Sequence, residues 1–286
     1  MVPSMKTERS KKKPYPLWKR PISAIEKTTV RLGLGPLRTL TLPDFQGIGA
    51  QKGGTTWLYE NLRCHPQLFL PKHKELHYFD NGFHKSLRSY SRHFAPGSGK
   101  VRGEITPAYG IIPPSRIRFI RALLPEVKLI LLMRNPVDRA WSHAMMNLVS
   151  RAERRLEDVT DAEFKSYLKT DDCRKRSDYG MLLDNWMSVF PRERFFLGFY
   201  EDLAEHPEDL LSGVFDHLGV RKDVDWSTFP LRKVVLPRYV RSADQHRNSS
   251  SRMRPEIATF LREMYAGEID KLHERFGERV ARWRFE

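Results

Sequence analysis

The sequence predicts a single α/β domain in which a central parallel sheet is flanked by helices and a P-loop-like turn holds an anionic group. Three observations lead there. Strand-like and helix-like segments alternate along the chain, the pattern of a sheet covered on both faces. Residues 127–133, VKLILLM, form an apolar run interrupted only by Lys128, as a buried parallel strand requires. Residues 47–62, GIGAQKGGTTWLYENL, join a short apolar run to a Lys-Gly-Gly-Thr-Thr turn and then to a helical pattern. With 286 residues, 40% of them apolar, the chain can bury one large core, and no internal repeat is visible.

Residues 45–50 have strand-like composition, and Thr55 or Thr56 can cap a helix whose apolar face includes Leu58 and Leu62. A strand feeding such a helix aims free backbone N–H groups and the helix dipole at one point, and Gly53 and Gly54 let an anion approach the backbone. Lys52 adds a full charge. In the nucleotide-triphosphate loop, G-x-x-x-x-G-K-[ST], lysine follows the glycine and a hydroxyl serves magnesium. Here the lysine comes first. A tight Gly-Gly turn beside a solvated lysine is the bland alternative.

Further along, a strand is predicted at Val101–Ile105 and a helix from about 115 to 124, before the buried run at 127–133. Asn135 can cap the next helix and Pro136 suits its first turn, so that helix runs from 136 to about 149. A strand at 195–200 (FFLGFY), a helix at Pro207–Leu218 and a long helix at Pro255–Phe276 complete the pattern. Ligands of such sheets bind at the carboxyl ends of the strands, where Lys52 and Arg134 both fall. Arg134 can hold a phosphate through two parallel hydrogen bonds, and Ser142, eight residues on, can add another from the following helix. Alone, such an arginine more often closes a surface ion pair.

The formal charge is +15, and residues 1–31 carry nine Lys/Arg against two Glu. With Lys11, Lys12 and Lys13 in a row and prolines at 14, 16 and 21, residues 1–40 are expected as a basic, flexible segment ahead of a domain at 41–286. Docking to an acidic surface is the functional alternative for that segment. No run of about 18 apolar residues and no signal-peptide core occurs, so the expectation is a soluble, cytoplasmic chain without a membrane span. Cys64 and Cys173 are too few for a disulfide framework and too far apart for a metal knuckle, which fits a reducing compartment. His73 and His77 lie in HKELH, not H-E-x-x-H, and no metal site is expected. Basic aromatic platforms for nucleic acid are also missing.

Three ordered motifs, QKGGTTWLYENL at 51–62, KELHYFD at 74–80 and LLMRNPVDRAWSH at 131–143, resemble the sulfotransferases that use 3′-phosphoadenosine-5′-phosphosulfate (PAPS), and most of all their heparan-sulfate branch. The resemblance runs from about residue 45 to 276. It implies a phosphosulfate loop at Lys52, Gly53, Gly54, Thr55, Thr56 and Trp57, and a 3′-phosphate site at Arg134 and Ser142. It places the catalytic glutamate at Glu75, with His77 and Asp80 in its supporting network. A basic loop over the nucleotide would fall on QHRNSSSRM at 245–253, with Arg247 as the candidate. Tyr179, Gly180 and Trp186 resemble a helix packed beneath the site, and core packing suits Trp186. One departure is Ile105, where that branch commonly carries a lysine near the acceptor, which makes heparan-like polyanions less certain as substrates. Arg102, Arg116, Arg118 and Arg121 could supply charge instead, although scattered helix-surface arginines explain them as well.

Sulfuryl transfer is an in-line displacement that needs a deprotonating acceptor hydroxyl, a neutralised leaving phosphate and alignment, with no metal in principle. Glu75 would take the hydroxyl proton, its basicity raised by partial burial against Leu76, Tyr78 and Phe79 and lowered by Lys74. His77 is the alternative base, and a carboxylate merely paired with Lys72 or Lys74 is the alternative for Glu75. Lys52 would meet charge developing on the bridging oxygen. The expected function is O-sulfation of a hydroxyl acceptor, a glycan first of all. A P-loop phosphotransferase or NTPase and a noncatalytic polyanion binder remain the other readings.

Overall fold

The computed structural model describes residues 20–33, 40–232 and 253–284. Five strands, β1 (Phe45–Gly49), β2 (Leu68–Phe69), β3 (Val101–Ile105), β4 (Lys128–Met133) and β5 (Phe195–Phe199), form one sheet in the order β2-β3-β1-β4-β5. Every pairing is parallel. The helices are α1 (Arg20–Arg31), α2 (Thr55–Leu62), α3 (Leu87–Ser91), α4 (Pro114–Leu123), α5 (Pro136–Ala144), α6 (Asp161–Leu168), α7 (Asp171–Lys175), α8 (Tyr179–Met187), α9 (Tyr200–Glu205), α10 (Pro207–Leu218) and α11 (Pro255–Phe276). Among the described residues no helix is long and apolar enough to cross a membrane.

The run at 127–133 is apolar because β4 feeds two cores at once. Leu129, Leu131 and Met133 point into a cluster with Ile120, Ala140, Trp186, Leu261 and Trp283, while Ile130 and Leu132 point into a second with Leu58, Leu62, Leu211, Val214 and Phe215. Side chains alternate across a strand, so helices on both faces demand apolar residues at every position. The strand order also fixes where a ligand can sit. From β1 the chain turns toward β2 and β3 on one side, and from β4 it turns toward β5 on the other. The two connections part at the carboxyl ends of β1 and β4 and leave a crevice there.

Helix α4 begins one residue earlier than the sequence pattern suggests, with Pro114 in its first turn. Helix α5 starts at the predicted Asn135 cap, whose Oδ1 accepts Val137 N–H at 3.0 Å. It keeps α-helical pairing only to Ala144 and continues as a π turn over Met145–Ser150. Within the segment expected to be a flexible tail, α1 is instead seated on the domain. Ser23 Oγ donates to Lys85 O at 2.8 Å, Lys27 Nζ lies 4.7 Å from the Phe83 ring centroid, and Val30 is buried. Ser86 caps α3 by accepting Ser89 N–H, and Glu26 accepts the N–H of Leu87, the first residue of that helix, at 2.7 Å, a donor the helix itself leaves open. Glu26→Ala strands that buried N–H and should cost about 1–3 kcal/mol. Urea titration is expected to record that loss, and hydrogen exchange to record faster exchange over residues 20–31.

Candidate active site

The turn after β1 bends back on the sheet, with Ala50 N–H donating to Leu132 O at 2.7 Å and Gly53 N–H to Ala50 O at 3.0 Å. A Cβ on Gly53 would lie 2.6 Å from Leu132 O, so no larger residue fits. Gly54 holds φ 91 and is itself the N-cap of α2, with no side-chain cap. Thr55 and Thr56 are therefore helical rather than capping, because the left-handed glycine already turns the chain. The consequence is an open helix start. The first-turn N–H groups of Thr55, Thr56 and Trp57 have no carbonyl within the helix to receive them. The Trp57 indole is buried in the core, its Nε1 donating to Leu231 O at 2.7 Å, so what Trp57 presents at the helix start is its backbone.

Cations converge on this point. Burial first, and then the charges of Arg134, Arg151, Arg139 and Lys74, together push the Lys52 ammonium down to about 8. Arg139 is fully buried and is held by Ser177 Oγ at 2.5 Å and Cys173 O at 3.0 Å, neither of which supplies a negative charge. Arg134 leaves β4, lies 4.4 Å from the Tyr200 ring centroid and reaches Asp138 at 3.3 Å. Its backbone is clasped by Tyr179, whose hydroxyl donates to Arg134 O at 3.0 Å and accepts Arg134 N–H at 3.2 Å. The Nε of Arg134 is buried and has no partner among the described residues. Ser142 lies one turn beyond Asp138 on the same face of α5 and is half-buried. Arg247 lies outside the described residues.

Glu75, His77 and Asp80 form a line. His77 Nδ1 meets Asp80 Oδ2 at 2.7 Å, His77 Nε2 meets Glu75 Oε2 at 3.4 Å, and Glu75 Oε1 meets Lys74 Nζ at 2.5 Å. Both expected influences on Glu75, burial upward and Lys74 downward, are present, and the downward ones win. Burial acts first, but the bond from His77 and the neighbouring Lys74 ammonium together outweigh it and hold the carboxyl down to about 2. The bonds to Asp80 and Glu75 raise His77 to about 9, so near neutral pH it is an imidazolium with no free lone pair for a proton. Lys52, Glu75 and His77 all hold a positive φ, at 72, 65 and 53, where such residues are uncommon. Such strain gathers at functional sites. Of the arginines considered as substitute cations, Arg102 is paired with Asp44 at 3.1 Å, while Arg116 covers the Phe83 ring and donates to Phe79 O at 2.8 Å. Ile105 is buried, its carbonyl accepting Glu75 N–H at 3.2 Å, and Lys74 is the cation bonded to the carboxylate. Sequence reasoning named Lys74 as a neighbour of Glu75 but did not single out Tyr200. Tyr200 could have been found from its place directly after β5, at the ligand-bearing edge of the sheet.

An anion cradle and a carboxylate–imidazolium pair at the switch point of a parallel sheet define a P-loop-like α/β domain built around a phosphate-bearing ligand. A family model described as a sulfotransferase domain matches residues 43–282, and the chain belongs to that family. It is 32% identical to the human heparan sulfate glucosamine 3-O-sulfotransferase 6 over 68% of this chain and 56% of that protein. It is 26% identical to the membrane-associated sulfotransferase kil1 of Dictyostelium discoideum over 69% of this chain and 60% of that protein. The chain thus spans little more than half the length of these relatives. A crystal structure of a sulfotransferase from Alicyclobacillus acidocaldarius superposes with a TM-score of 0.66 at 25% identity, covering 85% of this chain and 99% of that one.

Linkage gives the pair opposite signs. His77, raised when folded, contributes stability that is complete below its ordinary value of 6.5 and is lost as pH rises through about 9. Glu75, depressed when folded, contributes stability present above its ordinary 4.5 and lost as pH falls through about 2. Histidine side-chain NMR should find His77 titrating near 9. In Asp80→Asn the midpoint should move down toward ordinary histidine, since the carboxylate that holds the proton is gone.

Proposed function

We propose that this domain transfers the sulfuryl group of PAPS to a hydroxyl of an anionic carbohydrate. The observation that carries the reading is electrostatic. Lys52 feels the charge of both Arg134 and Lys74, the partner of Glu75, so one lysine is within electrostatic reach of the cradle's arginine and of the cation on the carboxylate. The residues fit the nucleotide in particular ways. Gly53 leaves a cradle that a Cβ would fill, and the unpartnered Nε of Arg134 is a donor awaiting an oxygen. PAPS when bound supplies a sulfuryl group on a phosphate leaving group. Lys52 and the open start of α2 would hold the phosphosulfate, and Arg134 and Ser142 the 3′-phosphate.

Glu75 is the base. It is anionic across the physiological range, whereas His77 already carries a proton. An acceptor hydroxyl that takes the place of Lys74 at Oε1 removes one of the two groups that hold the carboxyl acidic. Its basicity therefore rises at the step that uses it. His77, anchored by Asp80, orients the carboxylate. A hollow of about 460 Å³ lined by Arg63, Lys72, His73, Arg92 and His93, with Phe69 at its wall and no carboxylate in its lining, supports an anionic acceptor. Lys72 is three residues from Glu75, at most about 11 Å along the chain. The name of the relative at 32% identity, a heparan sulfate glucosamine 3-O-sulfotransferase, points the same way.

The desulfonated nucleotide PAP should raise the melting temperature without magnesium, and ATP much less, because only PAP offers a 3′-phosphate to Arg134. Equal, magnesium-dependent stabilisation by ATP would favour a phosphotransferase. Lys52→Ala should lose both PAP affinity and turnover, since its charge acts in the ground state and more strongly as the leaving oxygen develops charge. Glu75→Gln should lower turnover on the order of 10²–10⁴-fold with PAP affinity nearly unchanged. Wild-type turnover in that variant would remove Glu75 from the chemistry.

A further inference from the structure

Beneath the segment that carries Glu75 lies a buried polar network that takes no part in the proton transfer. Glu104, in β3, is 2% exposed, and its neighbours Tyr90, Thr106 and Tyr109 are at 1% or below. The Glu104 carboxyl accepts from the Tyr90 hydroxyl, from Thr106 Oγ1 at 2.8 Å, and from Tyr109 at 3.2 and 3.3 Å. All of these donors are neutral hydroxyls, and burial pushes the carboxyl up to about 7. Burying a carboxyl with no cation beside it is unfavourable, and well-packed apolar residues of similar volume often do as well or better for stability.

Tyr109 supplies a reason for keeping it. A phenol has one proton, and giving it to Glu104 turns the oxygen lone pairs the other way. There they accept the N–H of Tyr78 at 2.9 Å and of Phe79 at 3.4 Å. These two residues stand between His77 and Asp80. The other end of the segment hangs on β3, through Glu75 N–H and Ile105 O at 3.2 Å. Glu75 and His77 hold φ values of 65 and 53, a shape that persists only where surroundings impose it.

We propose that Glu104 is a positioning residue: through the Tyr109 hydroxyl it holds residues 75–80, and with them the Glu75 carboxylate, in the geometry that accepts the acceptor's proton. The proposal rests on Glu75 as the base, and its test includes a measurement that does not depend on turnover.

Tyr109→Phe removes only the hydroxyl, and Glu104→Gln keeps the size of the side chain. Each is expected to lower kcat between about tenfold and a hundredfold, as small misplacements of reacting groups do. PAP affinity and acceptor KM should stay within about twofold of wild type, since no binding contact is lost. The His77 NMR midpoint should fall from about 9 toward ordinary histidine in both, as the slackened segment parts it from Asp80 and Glu75. The double variant should be no worse than the worse single one, as for two members of one relay. Unchanged kcat with an unchanged His77 midpoint in Tyr109→Phe would overturn the proposal, and so would losses that add in the double variant. A shifted midpoint in Tyr109→Phe beside a fully active Glu75→Gln would uphold the positioning role while discarding Glu75 as the base.

Discussion

The site is organised by a gathering of positive charge at the ends of β1 and β4 that Asp138 only partly offsets. Lys52, Arg134 and Arg139 are brought there by the sheet, the second through Asp138 and Tyr200 and the third by burial against Ser177 and Cys173. Like charges held at short range in a partly desolvated crevice repel, and the lowered pKa of Lys52, set first by burial and then by its cationic neighbours, records that repulsion. The fold tolerates it because the two cores on either face of β4 fix the strands independently of the crevice. An anionic ligand relieves the repulsion, so ligand binding and local stability are the same free energy viewed from two sides.

Across the crevice the constraint is conformational. The segment at 75–80 is short, carries two left-handed residues, and is tied at one end to β3 and at the other to Tyr109 in the turn just after it. Its charges form an alternating line, Lys74, Glu75, His77 and Asp80, in which each carboxylate keeps a neighbouring cation protonated. Such a line resists losing any single proton, and a base within it becomes stronger only when one of its partners leaves.

Much of this was legible in the sequence, for identifiable reasons. The strand at Val101–Ile105 and the helices at Pro207–Leu218 and Pro255–Phe276 match the structure to the residue, because proline, glycine and the switch of apolar period mark their ends. Arg134 was visible because it directly follows a strand-like run, and Lys52 because it opens the Gly-Gly turn just after one. The docking of α1 was not legible. Its anchors, Ser23, Glu26 and Lys27, meet partners around residues 83–87 that no local pattern connects to them. The net acidity of Glu75 was not legible for a similar reason: sequence shows the apolar residues and the lysine that flank it but not that His77 folds back upon it. Nothing in the sequence sets Glu104 apart as a buried carboxyl, since burial is a property of the assembled sheet.

The two ends of the proposed site differ in how deeply they are built in. The anion cradle stands at the middle of the sheet, between β1 and β4, where β1 is paired on both sides and any change of backbone would propagate through two cores. The basic hollow stands on β2, a two-residue strand at the rim, and on the turn at 92–96. Its charged residues are all exposed, and none is woven into a ladder. Descendants of this chain could therefore exchange the residues of that hollow freely, acquiring new acceptors by surface substitution while the nucleotide half stays as it is.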